Sequence, residues 1–234
     1  MRTYRAIRGP FREQPYYEIE EIERVCSAEL RKVGLLPSQP EPIRIERFIE
    51  KRFNIHPLYE ELPPGALGFT IFDQNGAKEI VVSRALLETN DRVAERRVNT
   101  TLAHEAGHAL LHAHLFMFEH QPSLFGHDPD VLGPKILCRE EAVQSAWAYR
   151  QTRYNGKWWE HQANLTIGPL LLPRSLVGIV LNPLLIQRGD IGSKVLAPER
   201  REEARRMLVE VFEVNPIVAK IRIDGLLPTG QAML

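Results

Sequence analysis

One segment restricts the possible folds of this chain more than any other: residues 104–108 read His-Glu-Ala-Gly-His, within a helical pattern of apolar residues. Side chains four residues apart on an α-helix face the same way, so His104 and His108 are expected to bind one metal ion together. Imidazole nitrogens suit zinc. Glu105 follows the first histidine and is expected to act as the general base on a zinc-bound water. The motif therefore predicts a helix-borne zinc site.

A third ligand has two main candidates. His114 follows His108 at the spacing of the longer motif H-E-x-x-H-x-x-G-x-x-H, but that motif needs a glycine where this chain has Leu111. If the helix continues, His114 faces away from the pair. Glu160 is the favoured candidate, because a carboxylate from a second helix completes a two-histidine, one-glutamate site with an open fourth position. Cys138, nearby in sequence, is a further alternative.

Other residues are expected to support the ligands. Asn164 lies one helical turn beyond Glu160 and could accept a hydrogen bond from the far ring nitrogen of a ligand histidine. His112 lies one turn beyond His108, and a buried hydrogen-bonding role is favoured over ligation. Tyr149, Tyr154 and His161 are candidates for stabilising an oxyanion, and no spacing rule chooses among them.

Composition narrows the class of protein. Thirty basic residues balance thirty acidic ones in 234, so no overall positive charge favours nucleic acid or an anionic membrane. Two cysteines cannot form a framework of several disulfides, and no apolar signal segment or membrane span is apparent. We therefore expect a cytoplasmic protein that binds neither nucleic acid nor membrane.

Periodicity predicts an α+β fold that is mostly helical, with a small antiparallel sheet beside the motif helix. Asn75-Gly76 between two short β-type runs indicates a hairpin. Three regions are expected: an N-terminal helical extension (1–40), a catalytic core (41–175) and a C-terminal helical region completing the same domain (176–234). The predicted helices span about 17–33, 43–53, 91–116, 140–152, 158–168 and 199–212, the predicted strands 68–72 and 79–83, a loop 119–135 and a poorly ordered tail 225–234.

Two blocks of sequence resemble one family. Residues 96–112 (RRVNTTLAHEAGHALLH) are similar to the helix entry and H-E-x-G-H-x-x-x-H of the ImmA/IrrE-type zinc metallopeptidases. Residues 160–173 (EHQANLTIGPLLLP) resemble that family's second block, E-x-Q/E-A-N/D-x-F-A-x-x-L-L-M-P. The resemblance runs from about Ile43 to Ile223. It implies a zincin-like core with His104, His108 and Glu160 on zinc.

The resemblance also carries departures and a functional expectation. Thr166-Ile167 replace the Phe-Ala of the second block, and Pro169 is expected to kink or end its helix. Members often act on, or are encoded beside, helix-turn-helix repressors, which implies a regulatory peptidase with such a substrate. The alternative is a partner protein that contains zinc and binds a repressor without cleaving it. Manganese or iron could replace zinc in a His/Glu site.

Overall fold

A computed structural model describes residues 2–5, 11, 13–88, 91–117, 131–132, 135–139, 157–188 and 193–228. The fold is mixed α+β, with helices predominating over small sheets. The described helices are α1 (Ile19–Lys32), α2 (Ile45–Phe53), α3 (Arg92–Leu111), α4 (Ala113–Met117), α5 (Trp158–Leu171), α6 (Arg174–Leu181), α7 (Arg201–Phe212) and α8 (Pro216–Leu226). The strands are β1 (Arg2–Arg5), β2 (Glu13–Tyr16), β3 (Leu58–Glu60), β4 (Ala66–Asp73), β5 (Gly76–Ser83), β6 (Val131–Leu132), β7 (Lys135–Arg139), β8 (Leu185–Arg188) and β9 (Ser193–Leu196).

The central sheet has the strand order β3-β5-β4-β7-β6. Strands β4 and β5 form the predicted antiparallel hairpin, and Gly76 at its turn has φ 120°, a backbone conformation that favours glycine. The sheet is larger than predicted and is not wholly antiparallel, because β3 pairs with β5 in parallel. The parallel pair is possible because residues 61–75, which include β4, separate β3 from β5 in place of a tight turn. The predicted loop 119–135 is wrong at β6, which lies within it, and at Lys135, the first residue of β7; its other residues lie outside the described ones.

Helix α3 lies over this sheet and carries the motif. Its N-terminus is fixed by Asp91, whose carboxylate accepts hydrogen bonds from the backbone N–H groups of Val93 and Ala94, at 2.8 Å each. The predicted helix 91–116 is interrupted: α3 ends at Leu111, and a short α4 follows after His112. His104, Glu105 and His108 are all fully buried. The motif therefore faces the interior.

Helix α5 continues through Pro169 and ends at Leu171. The prediction that the helix ends at this proline is therefore wrong by two residues. Pro169 lies in the last turn, where few hydrogen bonds are lost, and Leu170 and Leu171 remain buried in the core. The chain then bends into α6. The backbone carbonyl of Leu172 accepts a hydrogen bond from the buried Arg222 on α8 at 2.9 Å.

One large apolar cluster joins α1, α2, α3, α5 and the C-terminal helices with one face of the sheet. Sequence periodicity found α1, α2 and α7 within a few residues of their ends but did not give α6, α8 or the hairpins β1–β2 and β8–β9. The predicted tail begins too early, because α8 extends to Leu226 and Leu227 is buried. The predicted helix 140–152 lies outside the described residues.

No single helix among the described residues is long and apolar enough to cross a membrane. The α5 segment and residues 174–184, bent by 53° at their junction, reach that length and composition only as a pair.

Candidate metal centre

Three ligand side chains from two helices converge at one point. The Nε2 atoms of His104 and His108 on α3 are 3.0 Å apart. Glu160, on α5, places its Oε2 3.3 Å from Nε2 of His104 and its Oε1 3.3 Å from Nε2 of His108. All three side chains are buried, so the convergence takes place away from solvent. The structure therefore brings together the three residues that the sequence predicts as ligands.

The spacing of these atoms fits a small tetrahedral metal ion. Ligand atoms about 2.0–2.1 Å from zinc in tetrahedral geometry lie about 3.3–3.4 Å from one another. The observed separations of 3.0–3.3 Å are close to that value. Both oxygens of Glu160 are buried without a conventional hydrogen-bond partner among the described residues, an arrangement that a bound cation would satisfy. The residues present fit a divalent metal.

The neighbours of His104 favour the form of the ring that binds a metal. Its Nδ1 lies 3.0 Å from the side-chain oxygen of Asn164, one helical turn beyond Glu160. An amide oxygen only accepts, so Nδ1 must carry the hydrogen. In the neutral ring Nε2 then carries the lone pair, which faces His108 and Glu160.

A longer chain of hydrogen bonds sets the tautomer of His108. The Gln162 amide donates to the backbone carbonyl of Pro15 at 2.6 Å, so its oxygen faces Nε2 of His112, 3.1 Å away. His112 Nε2 must therefore donate, and its Nδ1 accepts from Nδ1 of His108 at 3.0 Å. Nε2 of His108 therefore carries the lone pair, which faces Glu160. His112 thus supports a ligand through a hydrogen bond.

Glu105 lies between the motif helix and the sheet. The hydroxyl of Thr70 on β4 donates to its Oε2 at 2.7 Å. A methyl group added at Gly68 would lie 3.0 Å from Oε1, so this glycine makes room for the carboxylate. Burial and the negative charge of Glu160 raise the pKa of Glu105 to about 7, although His104 and Thr70 oppose the rise. A carboxyl group with a pKa near neutrality is suited to exchange protons.

The ligands themselves are strongly coupled. Burial would raise the pKa of Glu160, but His108 and His104 hold it well below its ordinary value. Burial also opposes a charge on His104, yet Cys138 and Glu160 raise the pKa of that imidazole. The pKa of His108 falls because burial outweighs the attraction of Glu160. A negative carboxylate therefore faces two imidazoles, and a metal would compete with the proton on His104.

Gly107 sets the distance between the two helices that supply the ligands. A methyl group at this position would lie 2.2 Å from Thr166 Oγ1 and 3.0 Å from the carbonyl oxygen of Ala163. Both contacts are on α5, so the backbones of α3 and α5 approach closely at this point. This approach brings Glu160 within reach of His104 and His108.

Among the described residues that the sequence offered as further ligands or oxyanion stabilisers, only Cys138 is found beside the three converging side chains. His114 lies on α4, beyond the interruption at His112, and is not among the converging atoms described above. His161 is half-buried on α5, and burial lowers its pKa. Tyr149 and Tyr154 lie outside the described residues. Cys138 is buried beside the site: its sulfur, a ring nitrogen of His104 and a carboxylate oxygen of Glu160 lie within 4.8 Å of one another.

Sequence reasoning did not assign roles to Thr70 or Gln162. Thr70 could have been found from the alternation of β4, since residues 68 and 70 share a face of the strand. Gln162 lies in the second sequence block but has no spacing signal that links it to His112, because His112 lies at the end of another helix, α3.

Comparison with known proteins does not identify a family for this chain. No protein-family model matches the sequence, and no curated protein matches it significantly. The resemblance to the ImmA/IrrE-type metallopeptidases therefore stays a prediction from the two sequence blocks.

Proposed function

We propose that this protein is a zinc-dependent metallopeptidase with a zincin-like core, in which His104, His108 and Glu160 hold the metal. The observation that supports this most is the convergence of three ligand side chains, with nitrogens and oxygens 3.0–3.3 Å apart, beside a carboxylate that does not ligate. A structural zinc site has no use for such a carboxylate. A hydrolytic site requires one as a base.

The bound zinc would polarise a carbonyl oxygen and make a water molecule more acidic. The protein's own residues then have separate tasks. Asn164 and His112 keep the ligand nitrogens in their binding tautomers. Thr70 holds one oxygen of Glu105 and leaves the other available to accept a proton from water. With its pKa near 7, Glu105 can later donate that proton to the leaving amine.

The substrate class is a protein or peptide. The family resemblance points to a helix-turn-helix repressor as the partner, and we propose a regulatory role on that basis. Both cysteines are free thiols, which favours a reducing compartment such as the cytoplasm.

The test is Glu105→Gln, which keeps the size of the side chain but removes the base. We expect this variant to bind zinc as the wild type does and to lose proteolysis by at least about 100-fold, the usual contribution of a general base. Cleavage is read by mass spectrometry on a peptide library and on a purified helix-turn-helix repressor. Glu95→Gln, an exposed position on the same helix, is the matched control.

Proteolysis by Glu105→Gln at the wild-type rate would exclude this residue as the base. If the wild type binds a repressor and never cleaves it, while both forms bind zinc, the protein is instead a non-enzymatic regulatory partner.

A further inference from the structure

Cys138 lies on the same face of the sheet as the metal centre. It pairs with Gly68 across strands β4 and β7, and cross-strand partners point to the same face of a sheet. The space in front of Gly68 holds the carboxylate of Glu105, so this face is the one that α3 covers. Cys138 is fully buried there. The register of the sheet, independently of the metal ligands, thus places a thiol beside the proposed base.

The sulfur is also close to the ligands. It lies within 4.8 Å of a ring nitrogen of His104 and of a carboxylate oxygen of Glu160. A tetrahedral zinc ion with Zn–S about 2.3 Å and Zn–N about 2.0–2.1 Å separates sulfur from nitrogen by about 3.5 Å. The sulfur would therefore have to move at most about 1.3 Å nearer to these two atoms, which is within the reach of a side-chain rotation.

A second observation points to a cation at this place. Both oxygens of Glu160, which is 4% exposed, lack a hydrogen-bond partner in the part of the chain that the structure describes. One oxygen of Glu105 likewise has no hydrogen-bond partner among the residues described. Buried carboxylate oxygens in such surroundings are satisfied by metal ions, and a thiolate is a strong zinc ligand.

We propose that Cys138 is a fourth, reversible zinc ligand that closes the metal centre for most of the time and so slows the peptidase without abolishing its activity. On binding, the thiol loses its proton to solvent, the sulfur donates an electron pair to the zinc, and a water molecule leaves the fourth position. Release of the sulfur reverses these steps and reopens the position. The inference rests on the proposed function, since closure regulates only a site that otherwise binds water.

The experiment compares full-length wild type, Cys138→Ala and Cys26→Ala after loading with zinc. Cys26 is the matched control, because it is the other buried free cysteine. X-ray absorption at the zinc edge is expected to show one sulfur at about 2.3 Å in the wild type and in Cys26→Ala, and only nitrogen and oxygen in Cys138→Ala. Peptide cleavage by Cys138→Ala is expected to be at least tenfold faster than that by the wild type.

A measurement on the wild type alone covers the case in which Cys138→Ala does not fold. Cobalt in place of zinc should give the intense near-ultraviolet absorption of a cobalt–thiolate bond. A wild-type centre with only nitrogen and oxygen ligands overturns the inference, and Glu105-dependent proteolysis in the same sample would leave the proposed function standing. Absence of bound metal from every form would overturn both. A sulfur ligand that persists in Cys138→Ala would also refute the assignment.

Discussion

Gly107→Ala tests whether the close approach of α3 and α5 builds the metal centre. An alanine in a helix interior ordinarily stabilises it by about 0.5–1 kcal/mol relative to glycine. Here the new methyl group would lie 2.2 Å from Thr166 Oγ1, when ordinary contacts begin at 3.4 Å. The overlap of about 1.2 Å cannot be relieved by Thr166 alone, because the carbonyl oxygen and Cα of Ala163 lie at 3.0 and 3.2 Å.

We expect overpacking to cost about 3 kcal/mol, the upper end of its usual range, because backbone atoms are involved. After the gain in helix propensity, the free energy of unfolding should fall by about 2 kcal/mol. Separation of the helices also carries Glu160 away from His104 and His108, and a zinc site tolerates errors of only about 0.2 Å. Zinc affinity should therefore fall by at least about tenfold.

Urea denaturation followed by circular dichroism measures the stability, and competition with a chelator measures the zinc affinity. Gly225→Ala is the matched control, because a methyl group at this exposed position on α8 meets no atom of the described residues within 4 Å. It should leave the protein as stable as the wild type, or more so. Adding Thr166→Ala to Gly107→Ala should recover part of the loss. If Gly107→Ala is as stable as Gly225→Ala and binds zinc equally well, the two helices do not meet as described.

Two further predictions concern the support of the site and of the fold. Gln162→Leu removes the acceptor that fixes His112, so the tautomer of His108 is no longer set, and zinc affinity should fall by about 10–100-fold. Gln162→Glu keeps an acceptor and should bind zinc more tightly than Gln162→Leu in chelator competition. Equal zinc affinities of the two variants would refute the hydrogen-bond chain. Glu23→Ala leaves the guanidinium of Arg222 buried without its carboxylate partner, which it contacts at 2.9 Å, and should cost about 3–5 kcal/mol in urea denaturation. The exposed control Glu20→Ala should lower the free energy of unfolding by about 0.5 kcal/mol. A similar loss of stability in Glu20→Ala and Glu23→Ala would contradict the role of the buried pair.

The sequence predicted the parts of the site that depend on local spacing. His104 and His108 share a helix face because they are four residues apart, and Asn164 follows Glu160 by the same interval. The meeting of the two helices was predicted from the chemistry of a two-histidine, one-glutamate site and from the family resemblance, not from local spacing. No local rule places residue 160 opposite residue 104, because helix packing depends on contacts such as those at Gly107.

Long-range contacts also explain what the sequence did not give. The contact between Thr70 and Glu105 depends on the position of β4 beneath α3, and that between Gln162 and Pro15 joins residues far apart in the chain. Strand β7, which carries Cys138, is short and has no clear alternation, so its place beside β4 follows from sheet pairing. Helix α8 was not predicted, and only its last two residues fall in the predicted tail 225–234; the Arg222–Glu23 pair ties this helix to α1.

The central claim is that His104, His108 and Glu160 hold one metal ion. The most direct test is the metal content of the purified protein, measured by mass spectrometry beside His108→Ala and Glu160→Gln, with His56→Ala at an exposed position as the control. We expect about one zinc per chain in the wild type and in His56→Ala, and little or none in the two ligand variants. A wild type that neither carries nor takes up zinc, or a Glu160→Gln variant that keeps it fully, would contradict the three-residue site.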